Sequence, residues 1–267
     1  MNARGLLLDC DGVLADTERD GHLVAFNLAF TEFDLPFRWS AEQYGPLLRI
    51  GGGKERLRSF LAEHPEWDLG DEHQVDALIR DLHVRKSALY VDLVESVALP
   101  ARPGVARLIS EALDDGWQVA CASTSAVASV EAVLASVVGG DQRRRMAGVF
   151  AGDVVPAKKP APDIYLLAAS SIGIDREDIV VVEDSASGAA AAAAAEMAHL
   201  VTVSHFTTED EFPAAATVVD TLGEPGSPAR VLAGADVRTP PEQIITVASL
   251  QQILDRAATG SPTRRPE

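Results

Sequence analysis

The sequence predicts an α/β fold: a doubly wound, Rossmann-like parallel sheet with an all-helical domain inserted after its first strand. Three observations predict it. From Val105 onward, short apolar runs alternate with segments of helical periodicity, the order that builds a parallel sheet covered by helices on both faces. The first apolar run, Leu6-Leu7-Leu8, stands apart near the N-terminus and stops abruptly at acidic residues. Between the two, residues 17–95 carry helical spacing only. The predicted organisation is therefore a core of residues 1–16 and 96–267, with residues 17–95 as the insertion.

Each element follows from its pattern. Leu6 to Leu8 reads as a buried strand, after which Gly12 lets the backbone turn. In the insertion, Leu23, Phe26 and Phe30 fall on one helical face. Leu57, Phe60 and Leu61 form a second face, and Val75, Leu78, Ile79, Leu82 and Leu89 a third. Pro36, Gly45-Pro46 and Gly51-Gly52-Gly53 read as loops between them. Pro100 and the Arg102-Pro103-Gly104 turn close the insertion. A helix then carries Val105, Leu108, Ile109 and Leu113, and a strand over 117–122 ends at Ser123. The next helix carries Val127, Val130, Leu134 and Val137, followed by a short strand at Val149-Phe150. Pro162 opens a helix through Ile164 and Leu167, since proline suits a first helical turn. A strand over 179–182, an alanine-rich helix and a strand over 199–203 complete the alternation. Residues 205–243 are rich in proline and read as loop, with Val218-Val219 as a short edge strand. Residues 249–256 read as a terminal helix and 260–267 as disordered.

Composition narrows the function. The chain is 47% hydrophobic and 24% charged, an ordinary globular balance. A net charge of −17 disfavours a nucleic-acid partner, whose backbone needs a basic surface. No stretch has the apolar length of a membrane span, and the N-terminus lacks the pattern of a signal peptide, so the expected location is cytoplasmic. Cys10 and Cys121 are too few for a metal framework and read as small core residues. Lysine occurs only at positions 54, 86, 158 and 159, which makes each of them worth inspection.

The polar residues at the predicted strand ends suit phosphate chemistry. Asp9 and Asp11 put two like charges beside a buried strand, which is costly unless a cation compensates. Glu183-Asp184 repeats the arrangement after Ile-Val-Val-Val, and such oxygen donors most naturally take Mg²⁺. The Ser123 hydroxyl, with the amides of the following helix start, can hold an anion. Lys159 lies in Lys-Lys-Pro-Ala-Pro-Asp, where the prolines stiffen the backbone and aim the ammonium.

Together these segments resemble the haloacid dehalogenase (HAD) superfamily. Asp9 to Thr17 is similar to its motif I, Asp-x-Asp-Gly-x-x-x-Asp-[Thr/Ser]. Ser123, Lys159 and Glu183-Asp184 are similar to motifs II, III and IV, in that order. The resemblance implies a HAD-like fold and a mechanism in which the nucleophile Asp9 forms an aspartyl-phosphate. Asp11 would protonate the leaving oxygen and then activate water, a role that needs it protonated when substrate arrives. Ser123 and Lys159 would hold the transferring oxygens. Mg²⁺ would be held by the Asp9 side chain, the Asp11 backbone carbonyl and Asp184, with Glu183 beside it through water.

The insertion carries Arg19, His22, Tyr44, Arg49, Lys54 and Arg56. The glycine-rich turn before a helix starting near Lys54 makes an anion site from free N–H groups and a cation. This segment and residues 16–27 closely resemble the CbbY-type proteins of the superfamily, in which such an insertion is a cap that closes over the substrate. Members are sugar-phosphate phosphatases, some acting on xylulose-1,5-bisphosphate. By that resemblance the substrate-binding residues are Glu18, His22, Tyr44, Arg49, Lys54 and Thr124, with Lys54 on the distal phosphate. The implied partner is a small phosphorylated sugar bound by a monomer, with neither nucleic acid nor membrane. β-Phosphoglucomutase-like transfer, phosphoglycolate hydrolysis and a non-catalytic relic of the fold are the alternatives. His22 falls one position later than the mutase pattern would place it. Glu196 departs from the pattern, which has a small residue before the methionine, and is expected to require only a packing adjustment.

Overall fold

The computed structural model describes residues 3–67, 69–97 and 99–260. Residues 261–267, for which the sequence predicts disorder, lie outside the described residues. In chain order the elements are β1 (Gly5–Leu8), a π-helical turn at Glu18–His22, α1 (Leu23–Glu32), α2 (Ala41–Leu47), α3 (Gly53–Ala62) and α4 (Glu72–Val97). They continue with α5 (Val105–Asp114), β2 (Gln118–Ser123), α6 (Val127–Arg145), β3 (Gly148–Ala151), α7 (Asp163–Ile172), β4 (Ile179–Glu183) and α8 (Ala186–Ala194). The chain ends with β5 (Ala198–Thr202), β6 (Thr217–Val219), β7 (Val231–Gly234) and α9 (Val247–Ala258). It divides into two compact units, Met1–Asp16 with Leu99–Glu267, and Thr17–Ala98.

The first unit is built on one sheet of order β3-β2-β1-β4-β5-β6-β7. Neighbours are parallel except β6 and β7. β1 and β4 are buried throughout, as strands with helices on both faces must be, which is why they read as unbroken runs of Leu and Val. One face packs Leu7, Ala120, Ile179 and Val181 against Ile164, Tyr165 and Ala168 of α7 and against Ala191 and Ala192 of α8. Chain order reverses on either side of β1, and the crevice that this opens at the strands' carboxyl ends is where such folds bind ligands.

The second unit is all helical. Its core is aromatic: Phe30 meets Phe37 edge-on at 4.8 Å between ring centroids, Phe26 meets Trp39 at 4.9 Å, and Trp39 meets Phe60 at 5.2 Å. Gly45 and Pro46, read above as loop, lie inside α2. The capping box between Ser40 and Gln43 nucleates that helix, which accommodates Pro46 in its last turn at the loss of the bond a Pro46 N–H would have made to the Glu42 carbonyl.

Two more readings need correction. Val218-Val219 belongs to β6, but β6 is not the edge strand, because β7 pairs with it on its outer side. Gly, Pro and Ser around β7 hide it as a sequence pattern. At Glu196, the expected packing adjustment is a backbone one. Glu196 has φ +58° and closes α8 in a Schellman motif: its N–H donates to Ala193 O at 2.9 Å, and the Met197 N–H to Ala192 O at 3.0 Å. Glycine suits that left-handed position, whereas a side chain there costs about 1 kcal/mol. The glutamate forms an exposed pair with Arg176 at 2.8 Å, worth little in water. Glu196→Gly is therefore expected to raise the melting temperature by about 2 °C, measurable by circular dichroism; an unchanged or lower value would mean that the ion pair outweighs the backbone strain.

Candidate active site

The acids and the lysine picked out at the strand ends meet at the carboxyl ends of β1 and β4. The N–H of Asp9 donates to Val182 O at 3.0 Å, so the ladder between the two strands continues through the aspartate. Gly12 N–H to Ala15 O and Leu14 N–H to Cys10 O, both at 2.9 Å, then turn the chain sharply. Glu183 is the last residue of β4 and fully buried, and Asp184 follows it. Lys159 comes from the loop between β3 and α7. Its ammonium donates to Asp9 Oδ1 at 2.6 Å, to Glu183 Oε1 at 2.6 Å and to the Ala122 carbonyl at 3.1 Å.

The electrostatics are set by this crowding. Burial pushes the Asp9 carboxyl up to about 7; Lys159 opposes this, while Glu183 and Asp11 add to it. Burial also opposes the charge on Lys159, but Asp9 and Glu183 outweigh it and hold the ammonium well above the usual lysine range. Asp184 is pushed well above the usual carboxylate range by burial and by Glu183 and Asp9, with Ser204 and Arg102 opposing. Glu183 is held lower, despite burial, by Lys159, Tyr165 and the Asp184 amide.

Glu183 is the anchored member of the set. Besides Lys159, its Oε1 accepts from the Tyr165 hydroxyl at 2.5 Å, and its Oε2 accepts from Asp184 N–H at 3.0 Å and the Ser185 hydroxyl at 3.3 Å. α8 passes so close that a Cβ on Gly188 would lie 1.9 Å from Glu183 Oε1, so only glycine fits there. Oxygens of Asp9, Glu183 and Asp184 lie within 4.8 Å of one another. Three buried carboxylates facing one ammonium leave negative charge in excess, and the donors are all hard oxygens. The residues present therefore fit a divalent cation such as Mg²⁺.

Ser123 ends β2 and is buried, and its Oγ accepts from Ser125 N–H at 3.1 Å. The Ser125 hydroxyl in turn donates to the Asp11 carboxylate. Thr124 lies half-buried between the two serines. Lys158 pairs with Asp153 at 3.1 Å on the same loop as Lys159. Tyr165 and Ser125 bond to the acids, and Ser204 faces Asp184, without having been singled out in sequence. Tyr165 could have been noticed as a hydroxyl on the otherwise apolar face of α7, and Ser125 as the third residue of Ser-Thr-Ser; Ser204 gives no such signal.

The remaining predicted residues lie in the helical unit. Glu18 and Tyr44 are brought together: the Tyr44 hydroxyl donates to Glu18 Oε2 at 2.6 Å and accepts from Arg56 Nη1 at 2.7 Å. His22 stacks on Tyr90 at 4.0 Å, and its Nδ1 lies 2.5 Å from the buried Lys86 ammonium. An ammonium can only donate, so this nitrogen accepts. Arg49 is exposed in the turn after α2 and, among the described residues, joins neither pair. Lys54 is the second residue of α3, next to Gly53.

A family model for haloacid dehalogenase-like hydrolases matches residues 3–196. A CBBY-like protein of Arabidopsis thaliana is 47% identical over 222 residues, which is 82% of this chain and 69% of that protein. The plasmid-borne CbbY of Cupriavidus necator is 39% identical over 230 residues, 84% of this chain and 88% of its own. The crystal structure of an aspartate-to-asparagine mutant of Rhodobacter sphaeroides CbbY in complex with xylulose-1,5-bisphosphate superposes with a TM-score of 0.76 at 35% identity. That match covers 84% of this chain and 96% of the other. A Clostridium difficile β-phosphoglucomutase shares the fold, with a TM-score of 0.69, at 17% identity over 96% of this chain and 99% of the other.

Proposed function

The chain belongs to the haloacid dehalogenase-like hydrolase family, and within it we propose a Mg²⁺-dependent phosphatase that hydrolyses a sugar bisphosphate such as xylulose-1,5-bisphosphate. The observation that carries the reading is the buried group of Asp9, Lys159, Glu183 and Asp184 at the carboxyl ends of β1 and β4. The likeness to CbbY over most of both chains supports the choice of substrate.

Asp9 is the nucleophile. Its carboxylate attacks phosphorus, the ester oxygen leaves, and an aspartyl-phosphate forms. Asp11 gives a proton to the leaving oxygen, then takes one from the water that hydrolyses the acyl phosphate. The Ser125 hydroxyl orients Asp11 for both steps. Lys159 is already placed at Asp9 and, with Ser123, holds the phosphoryl oxygens as their charge develops. Asp9 and Asp184 would hold Mg²⁺ through their side chains and Asp11 through its carbonyl. Glu183, saturated by donors from the protein, would stand behind them through water. Bound there, the ion offsets the repulsion between carboxylate and phosphate. In the helical unit, the amides after Gly53 and the Lys54 ammonium take the distal phosphate.

The test is phosphate release, with and without Mg²⁺, from a panel of sugar mono- and bisphosphates. The expected substrate is a bisphosphate. Lys54→Ala should raise its KM by about tenfold, the worth of a charged hydrogen bond, and leave the KM of the corresponding monophosphate almost unchanged. An equal rise for both would remove the distal-phosphate assignment, and no release from any panel member would remove the phosphatase reading.

A further inference from the structure

We propose that Arg102 is a positioning residue for the metal-binding acids, fixing the turn that carries Asp9 and Asp11 against the strand ends that carry and support Asp184. The proposal rests on the Mg²⁺-dependent reading given above, and everything it uses lies in the first unit. Arg102 stands where the chain re-enters the sheet domain. Its N–H donates to Leu14 O at 2.9 Å, next to an antiparallel bridge between Ala15 and Ala101.

The guanidinium then spans several separate segments. Nη1 donates to the Gly12 carbonyl, in the turn after Asp11, and to Thr202 O at 3.1 Å. Nη2 donates to Val203 O at 2.6 Å, to Asp220 O at 2.8 Å and to the Thr202 hydroxyl at 3.2 Å. These carbonyls cluster where the ladders of β5 and β6 run out, and each needs a donor. A planar fork of N–H groups can serve them together, whereas a lysine ammonium offers three donors from a single point.

Both sides of this clamp touch Asp184. On one side, Gly12 approaches so closely that a Cβ there would lie 1.9 Å from Asp184 Oδ2. On the other, Val203 precedes Ser204, whose side chain faces the Asp184 carboxyl and opposes the effect of burial on it. The Ser204 N–H is itself tied to Thr207 Oγ1 at 2.8 Å, which keeps the hydroxyl in place. Arg102 thereby sets the separation between the Asp9–Asp11 turn and Asp184, although it offers the metal no ligand atom. Groups that orient ligands from behind commonly change metal affinity by about 10–100-fold when removed.

The test is direct titration of Mg²⁺ into the full-length protein by calorimetry, for wild type, Arg102→Lys and Ser204→Ala. Arg102→Lys keeps the charge but loses the fork. It is expected to weaken Mg²⁺ binding about tenfold, and its activity at low Mg²⁺ should recover toward wild type as Mg²⁺ is raised. A purely structural role would lower the melting temperature and leave Mg²⁺ affinity unchanged, which would overturn the proposal. If circular dichroism shows that Arg102→Lys does not fold, Ser204→Ala decides. Several-fold weaker Mg²⁺ binding at an unchanged melting temperature supports the clamp, and unchanged binding overturns it. A wild-type protein that takes up no Mg²⁺ would instead overturn the proposed function itself, so the two failures are distinguishable.

Discussion

Asp9→Asn is expected to reduce Mg²⁺-dependent phosphate release by at least about 10⁴-fold, the scale on which removal of an activated nucleophile acts. An amide does not attack phosphorus, and the neighbouring carboxylates of Glu183 and Asp11 are otherwise engaged. Glu183 is committed to Lys159, Tyr165 and three backbone or hydroxyl donors, while Asp11 accepts from Ser125. The fold should survive the change. Asparagine has the shape of aspartate, and its Oδ1 can still accept from Lys159, which is 2.6 Å away. The substitution also removes one of the negative charges crowded against Glu183 and Asp11, both of which raise the Asp9 carboxyl. The melting temperature measured without Mg²⁺ should therefore hold or rise. Retention of more than a tenth of wild-type activity would mean that the nucleophile is another residue, while loss of activity together with loss of fold would make Asp9 a structural residue.

The contrast between legible and hidden parts has a physical source. Asp9, Glu183 and Asp184 are legible because each follows an apolar run and breaks it with a charge that a buried strand would not otherwise tolerate. Lys159 is legible because lysine is scarce in this chain and prolines stiffen its surroundings. The sheet's central strands are legible for the reason that they are buried on both faces and so carry uninterrupted Leu, Val and Ile. What stays hidden depends on distant pairing. Tyr165 reaches Glu183 only because α7 packs against β1, β2 and β3, and Arg102 finds its carbonyls only after β5 and β6 have ended side by side. Glu196 is half legible: the sequence marks the position as unusual, but the left-handed turn that makes it so appears only in the backbone. β7 and α2 are hidden by the same residues, Gly and Pro, whose meaning changes with position in an element.

Gly12→Ala should lower kcat/KM by about 100-fold or more, because a displacement of about 1 Å in a catalytic group costs that much. Two effects act at this residue, and they can be separated. The first is backbone strain. Gly12 has φ +82°, where a side chain costs about 1–2 kcal/mol of stability. The second is collision: the added methyl would lie 1.9 Å from Asp184 Oδ2 and 2.4 Å from its Cγ, so Asp184 must move. Asp184 is itself buried, with little room to yield. Gly116 isolates the first effect. It has φ +81° and lies in the turn between α5 and β2, where an added methyl would meet nothing within 4 Å among the described residues. Gly116→Ala should therefore lose a similar amount of stability and none of the activity. Melting curves and steady-state kinetics on the two variants, run side by side over a range of Mg²⁺, give the comparison. If both lose stability alike and only Gly12→Ala loses turnover and Mg²⁺ affinity, the glycine serves the close approach of the turn to Asp184. Equal activity in the two variants would mean that Asp184 tolerates displacement, and the placement of that carboxylate would then not limit the reaction.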